Sequence, residues 1–508
     1  MAQIRLRIPV QEYKYMVYRE GDVYYAMNRK TKQIEFMSRD PAYVINQAII
    51  KTSTAGGGVV FLKEGEYDLN ELNIEMKSNV TLKGAGKATV IKRGYISFID
   101  EGLENVEVRD LFIDNRGWGG CLWIAPPGGE VREGPRNVLV ENVIAYGSGV
   151  EFLGGATVEV RGAKNVVFRN CEVAYGGHNG FYITAVDEEN RIHPSEDILI
   201  ENCYIHDNWD DAIDLNATTR AFVINNIITN NQYSCCSIEK NCIYVEFVGN
   251  YVEKTPFIDV IDSEYVLIAS NTFLISAPTW RLWKNSRFIT FVNNFYGSGA
   301  IFAIENCESL SIISNHLYNH HYNQPVFAVN SSRGFVIKNN YINTWSDETQ
   351  RTELVHPFII DENSSDYEVA DNFIEGYSVC EAKFGGVRYR VKGNIWNRRG
   401  SAIAPTFHDH DGSMTGTTGT PFTFEDQAGE VTIDTSTAGV VSGDVTFPVR
   451  YPIGRIPKVL VTLMNVADGV VIDTVHVKNV TETGFTYSLR VVQAVAGTTC
   501  KLVWRASL

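Results

Sequence analysis

Four aspartates and a tryptophan crowd into "DNWDDAIDLN", residues 207 to 216. Carboxylates at this density serve acid and base catalysis, cation binding, or hydrogen bonding to the backbone of a turn. Asp207, Asp210 and Asp211 sit among Asn and Trp, where short polar side chains cap turns. Asp214 differs, because Ile213 and Leu215 flank it in a strand-like alternation that turns its side chain away from a core.

Three other segments share that alternation: "FYIT" at 181 to 184, "SIEK" at 237 to 240 and "IDVI" at 258 to 261. Placed side by side, they put Tyr182, Asp214, Glu239 and Asp259 on one outer face. With strands about 4.8 Å apart, Asp214 is expected about 5 Å from Glu239 and about 10 Å from Asp259. These separations bracket the carboxylate pairs of retaining and inverting glycosidases. Stacked like charges also raise one another's pKa, which keeps a carboxyl protonated for use as a general acid.

Around this column stand groups suited to a sugar. Trp209 and, from "TWRLWKN", Trp280 and Trp283 offer indole faces for stacking, while Arg281 and Lys284 can bind a carboxylate. His178 in "YGGHNGF" and His206 are acid/base candidates, the alternative being histidines of surface turns.

The elements that must hold these groups are repeats. Segments such as "VVFRNCEV", "ILIENCYI", "FVINNII" and "FVIKNNYI" share an apolar strand, an Asn, and another apolar residue two places on. The markers are Asp110, Asn142, Asn170, Asn202, Asn226, Asn250, Asn271, Asn294, Asn315, Asn340, Asn372 and Asn394, spaced 21 to 32 residues apart. A unit of this length, made of short strands and polar bends, predicts one turn of a parallel β-helix. Asn suits a left-handed bend, and its amide can hydrogen-bond from rung to rung. The intervals 142 to 170, 170 to 202 and 340 to 372 are long enough to carry loops.

The formal charge of −15 argues against nucleic acid as the main partner, and no apolar run is long enough to span a membrane. The first residues lack the apolar core of a secretory signal, so release by lysis is the expected route out of a cell. Nine cysteines, two of them adjacent at 235 and 236, suit neither a disulfide framework nor a zinc site. Cys171 and Cys203, each directly after a marker Asn, read as small apolar fillers of the core.

At the N-terminal side, "AYVINQAIIKTS" is an amphipathic helix candidate, followed by "AGGGVVFLKEGEYDL" and "NVTLKGAGKATVIKR". This order resembles the entrance of pectate-lyase-like right-handed β-helices, a group that includes viral tailspikes and depolymerases. The resemblance covers roughly residues 39 to 400 and implies a polysaccharide partner and a virion-associated or extracellular setting. "NWDDAIDLN" is also similar to the acidic rung of polygalacturonases, which would map their vicinal aspartate pair onto Asp210 and Asp211.

Past residue 400 the ladder stops. "HDHDGSMTGTTGT" predicts a linker over 401 to 425, and His408 with His410 forms an H-x-H unit that three chains on one axis could turn into a metal site. Residues 426 to 508 alternate with turns every 8 to 12 residues, which predicts a small antiparallel β-sandwich. "RIPKVLVTL", "NVTETGF" and "VWRA" resemble the H-type lectins, which implies six strands, a homotrimer and sugar binding.

The expectation is therefore an all-β chain: an N-terminal segment over 1 to 38, a parallel β-helix over 39 to 400, a linker and a sandwich. The expected activity is glycosidic cleavage by paired carboxylates. Two alternatives use the same fold: a Ca2+-assisted lyase with Arg281 or Lys240 as base, or a uronan epimerase. A third is a non-catalytic adhesin.

Overall fold

The computed structural model describes residues 13–126, 133–150, 155–187, 190, 192–256, 258–274, 281–297, 302–318, 325–343, 357–376, 383–398, 406–411, 427–447 and 456–507. The repeats form rungs of three strands, as in Glu196–Glu201, Tyr204–His206 and Ile213–Asn216. Each strand pairs in parallel with its counterpart one repeat later, for example Ile198 with Ala221 and Ile205 with Ile228. The third strands of successive rungs make a 13-stranded sheet from Asn73–Glu75 to Lys383–Phe384. The rungs enclose one continuous core of stacked aliphatic and aromatic residues, such as Phe302 on Phe327 on Phe358 with centroids 5.0 and 5.6 Å apart.

The marker asparagines divide into two adjacent columns. Asp110, Asn142, Asn170 and Asn202 occupy the left-handed bend, with φ of 50 to 54°. From Asn226 to Asn394 the marker is instead the next, buried residue, and Asn225, Gly249, Ser270, Asn293, Ser314, Asn339 and Asp371 take the bend. In the buried column Asn250 Oδ1 accepts from the Asn226 backbone N–H at 2.8 Å and from its Nδ2 at 3.0 Å, while Asn226 Nδ2 also donates to Ile200 O. Asn271, Asn294, Asn315, Asn340, Asn372 and Asn394 repeat this pattern. Bend geometry and rung-to-rung bonding, expected of one residue, belong to two.

Cys171 and Cys203 stand in the buried column before the ladder begins, and the Cys203 N–H donates to Asn226 Oδ1 at 2.8 Å. Eight cysteines among the described residues are buried outside any disulfide, as fillers.

The N-terminal helix spans Pro41–Thr54, with Asp40 capping it through the Tyr43 N–H. Its Val44, Ile45, Ala48 and Ile49 are buried, and it packs against the strands Ile34–Ser38, Gly58–Leu62 and Asn73–Glu75. Residues from Tyr15 onward join the β-helix sheet directly, since Tyr15–Glu20 pairs in parallel with Gly58–Leu62.

The stretch expected as a linker contains the strand Thr406–Asp411, antiparallel to Val387–Arg398, with His410 opposite Val391 and His408 opposite Asn394. The Gly/Thr-rich residues 412 to 426 lie outside the described residues. Six C-terminal strands form two three-stranded antiparallel sheets around Phe447, Phe485, Leu489, Leu502 and Trp504, the expected sandwich.

Candidate active site

The acidic groups sit where the second strand of a rung bends into the third. Rung register places Glu159, Tyr182, Asp214, Ser237 and Asp259 in one column, each the direct partner of the next. Tyr182, Asp214 and Asp259 are therefore aligned as expected. Glu239 is not in that column: it pairs with Asn216, two residues along the strand. Its backbone lies diagonally from Asp214, about 7 to 8 Å away by sheet geometry rather than about 5 Å. Asp259 and Ser237 are buried, so the column faces outward but is covered there, while Asp214 and Glu239 are part exposed.

Asp210 and Asp211 belong to the same cluster. Asp211 is buried, and its Oδ1 accepts from both the backbone N–H (2.9 Å) and the hydroxyl of Ser234. Asn179 ties the two acidic layers together: its Oδ1 accepts from the Asp211 N–H at 3.2 Å, and its Nδ2 donates to Asp214 Oδ2 at 3.0 Å. Asn216 Nδ2 donates to Asp214 Oδ1 at 2.6 Å, and Ser237 Oγ donates to Glu239 Oε1 at 2.8 Å.

Burial is the first cause of raised pKa in this cluster, and mutual charge is the second. Burial lifts Asp211 to about 7 against the opposing Ser234 hydrogen bond, with Asp210 and Asp259 adding repulsion. Asp214 is pushed well above the carboxylate range by burial and by the charges of Asp211 and Glu239, partly offset by Lys240. Asp210 is raised by burial and Glu239, while His178, 3.9 Å away, pulls it down. Asp210, Asp211 and Asp214 are thus shifted together toward the protonated form, with the charges of Glu239 and Asp259 adding to the effect of burial.

The flanking residues fare differently. His178 is half exposed beside Asp210, within reach of a ligand on the cluster. His206 is buried, stacked on Tyr204 at 4.1 Å, with Nδ1 at 2.7 Å from Asp207 Oδ2, so its ring serves packing rather than substrate contact. Asp207 is a bend residue with φ 55°, as the turn-capping alternative has it. Trp209 is exposed and anchored by its Nε1 on Gly149 O at 3.3 Å.

Trp283 overturns the expectation of an exposed indole. It pairs with Val260 and Ile304 on the inward side, is 1% exposed, and packs edge-on against Phe291 and Phe302. The outward neighbour is Lys284, 3.7 Å from Glu305. Arg281 begins the same strand, Trp280 and its loop lie outside the described residues, and so do the side chains of Arg281, His408 and His410.

Upstream on the same sheet lies a cavity of about 330 Å³. Tyr95, Trp118 and Trp123 line it with Arg93, Glu71 and Glu159. The alternation in "LWI" (122 to 124) already turns Trp123 outward, but Trp118 reaches the cavity from a bend, which no periodicity encodes.

Ca2+ takes six to eight oxygen ligands. Asp211 Oδ1 and both Asp214 oxygens are engaged by Ser234, Asn179 and Asn216. Among the described residues no group of three or more His, Cys, Asp or Glu side chains could hold a metal ion.

Comparison with known proteins bears on the fold. Residues 131–273 match the family model described as "Right handed beta helix region". No curated protein matches the chain. Among solved structures, the Azotobacter vinelandii mannuronan C-5 epimerase AlgE6 A-module shares 17% identity, with 70% of this chain and 95% of that one covered at a TM-score of 0.46. The Pseudomonas phage phi297 tailspike gp61 shares 12% over 92% of this chain and 91% of that one, at 0.39. The Acinetobacter phage vb_AbaP_AS12 gp42 tailspike shares 11% over 91% and 79%, also at 0.39. The stacked parallel rungs and the family match together identify the body of this chain as a right-handed parallel β-helix.

Proposed function

We propose that the protein is a polysaccharide hydrolase that works by inversion, with Asp214 as general acid and Glu239 as general base. The observation that carries this reading is the pair's asymmetry. Burial and neighbouring charge raise the Asp214 pKa well above that of an ordinary aspartate, and Glu239 contributes part of that charge from a diagonal position. The diagonal placement, about 7 to 8 Å between backbones by sheet geometry, sets the pair wider apart than directly opposed residues at about 4.8 Å, in the sense that inverting hydrolysis requires.

In this mechanism the Asp214 proton passes to the glycosidic oxygen as its bond to the anomeric carbon breaks. Glu239 takes a proton from the water that attacks the opposite face of that carbon. Asn179 and Asn216 hold the acid in place, and His178 with Trp209 flanks the bound sugar. Asp211, Glu239 and Asp210 supply the charge that, after burial, raises the pKa of the acid. The C-terminal sandwich would bind glycan or join three chains, and the setting would be a virion or its extracellular surroundings.

Polysaccharide panels incubated with wild type, Asp214→Asn and Glu239→Gln test the reading. New reducing ends are expected with wild type alone, with losses of about 10²- to 10⁴-fold in each variant. An adhesin would leave chain length unchanged while binding persisted. Formation of unsaturated uronate ends would point to a lyase.

A further inference from the structure

We propose that the cavity formed by Tyr95, Trp118 and Trp123 is a distal sugar subsite of the same groove, built for an uncharged pyranose and hostile to uronates. The proposal rests on the carboxylate cluster being the point of cleavage. Its geometry is that of a shared track. Trp123 pairs with Glu159, Glu159 with Tyr182, and Tyr182 with Asp214, so the indole and the acid stand three rungs apart on one outward column. At about 4.8 Å per rung that is about 14 Å along the axis of the β-helix, a few sugar units of an extended chain.

The wall of the cavity suits a sugar face. Trp118 and Trp123 are each 42% exposed and Tyr95 is 37% exposed, in an open concavity of about 330 Å³ rather than scattered over the surface. Tyr95 and Trp123 are tilted against each other with centroids 6.5 Å apart, and the Arg93 guanidinium lies 5.5 Å from the Trp118 ring centre. Rigid aromatic planes with a few polar groups between them are what a ring of C–H bonds and hydroxyls requires.

Charge decides the class of sugar. Arg93 is spent on Asp68 through a two-pronged pair, and Arg161 on Glu159. Glu71 and Glu159 line the cavity, and the charge of Glu239 stands at the cluster. A polyuronate would thus meet carboxyls along the track, whereas neutral hexoses and N-acetylhexosamines would meet aromatic faces and acceptors for their hydroxyls.

The test uses the full chain carrying Asp214→Asn, so that ligands persist. Glucose, N-acetylglucosamine and glucuronate oligomers of graded length are titrated by calorimetry and by tryptophan fluorescence. At least one neutral series is expected to bind, with affinity rising once the oligomer can span both sites. Trp123→Ala should remove that rise, lowering affinity for long oligomers about tenfold or more, and Trp123→Phe should restore part of it. Length-independent affinity, no effect of Trp123→Ala, no binding of either neutral series, or equal binding of glucuronate oligomers would each overturn the proposal. The two readings fail separately: neutral oligomers bound but never cut by wild type sink the hydrolase alone. Cleavage with KM and product lengths unchanged by Trp123→Ala sinks the subsite alone.

Discussion

Asp211→Asn isolates the energy stored in the acidic cluster. The Asp211 carboxyl titrates at about 7 in the folded chain against 3.8 for an ordinary aspartate. A carboxyl whose folded pKa is raised binds its proton more tightly in the native state. Its contribution to stability is therefore complete below about pH 4, declines as pH rises, and is exhausted above about pH 7. Three pH units at 1.36 kcal/mol each give about 4 kcal/mol, an upper figure because neighbouring carboxyls share the protons. Asn cannot ionise, and its side-chain oxygen can keep the Ser234 bonds. The variant should thus be about as stable as wild type at acid pH and more stable by up to about 4 kcal/mol at pH 8. Denaturant titration of the β-helix transition across this range, read as the difference between the two proteins, provides the measurement. A difference that stays constant with pH would refute the reasoning, since it would mean that Asp211 is ionised in the native state as readily as in the unfolded one.

In the proposed mechanism Asp214 must carry a proton to act, and its pKa is raised, so cleavage should persist above the ordinary carboxylate range and fall as rising pH removes that proton, as initial-rate profiles would reveal. Trp283→Ala should cost about 3 to 5 kcal/mol of stability, while Trp283→Phe should leave KM unchanged, which melting curves and kinetics separate. Asn294→Ala orphans the Asn271 backbone N–H in the core, at about 1 to 3 kcal/mol, and leaves its Nδ2 with Phe247 O alone, so it should speed hydrogen exchange in the adjoining rungs. His178→Ala removes the group that lowers Asp210, so the Asp210 pKa should climb further in a carboxyl-resolved NMR titration.

The fold was legible because its signal repeats. A dozen marker residues outvote any local ambiguity, and both the N-terminal helix and the antiparallel sandwich follow ordinary pattern rules. The site was legible only to the precision of a face. Strand side chains alternate with period two, so sliding "SIEK" by two residues against "IDLN" leaves Glu239 outward yet moves it along the strand. Register is fixed by where Cys236 enters the core, a packing fact invisible in a single line of sequence. Trp283 was misplaced by one residue, which inverts a side chain outright: "RLWK" sends Lys284 out and the indole in. Asp211 was visible as a carboxyl, but its partner Ser234 comes from the next rung.

The asparagine column has a direction. Every amide in it hands hydrogen bonds to the neighbour on its C-terminal side and takes them from the neighbour before, beginning at the Cys203 N–H. A defect within a rung leaves donors stranded, but removal or duplication of an entire rung rejoins the column without a mismatch. Such a molecule changes length in whole steps of roughly 4.8 Å. The spacing between its acidic cluster and anything carried at either end can therefore be reset by inheritance one rung at a time, without redrawing the groove around the cluster.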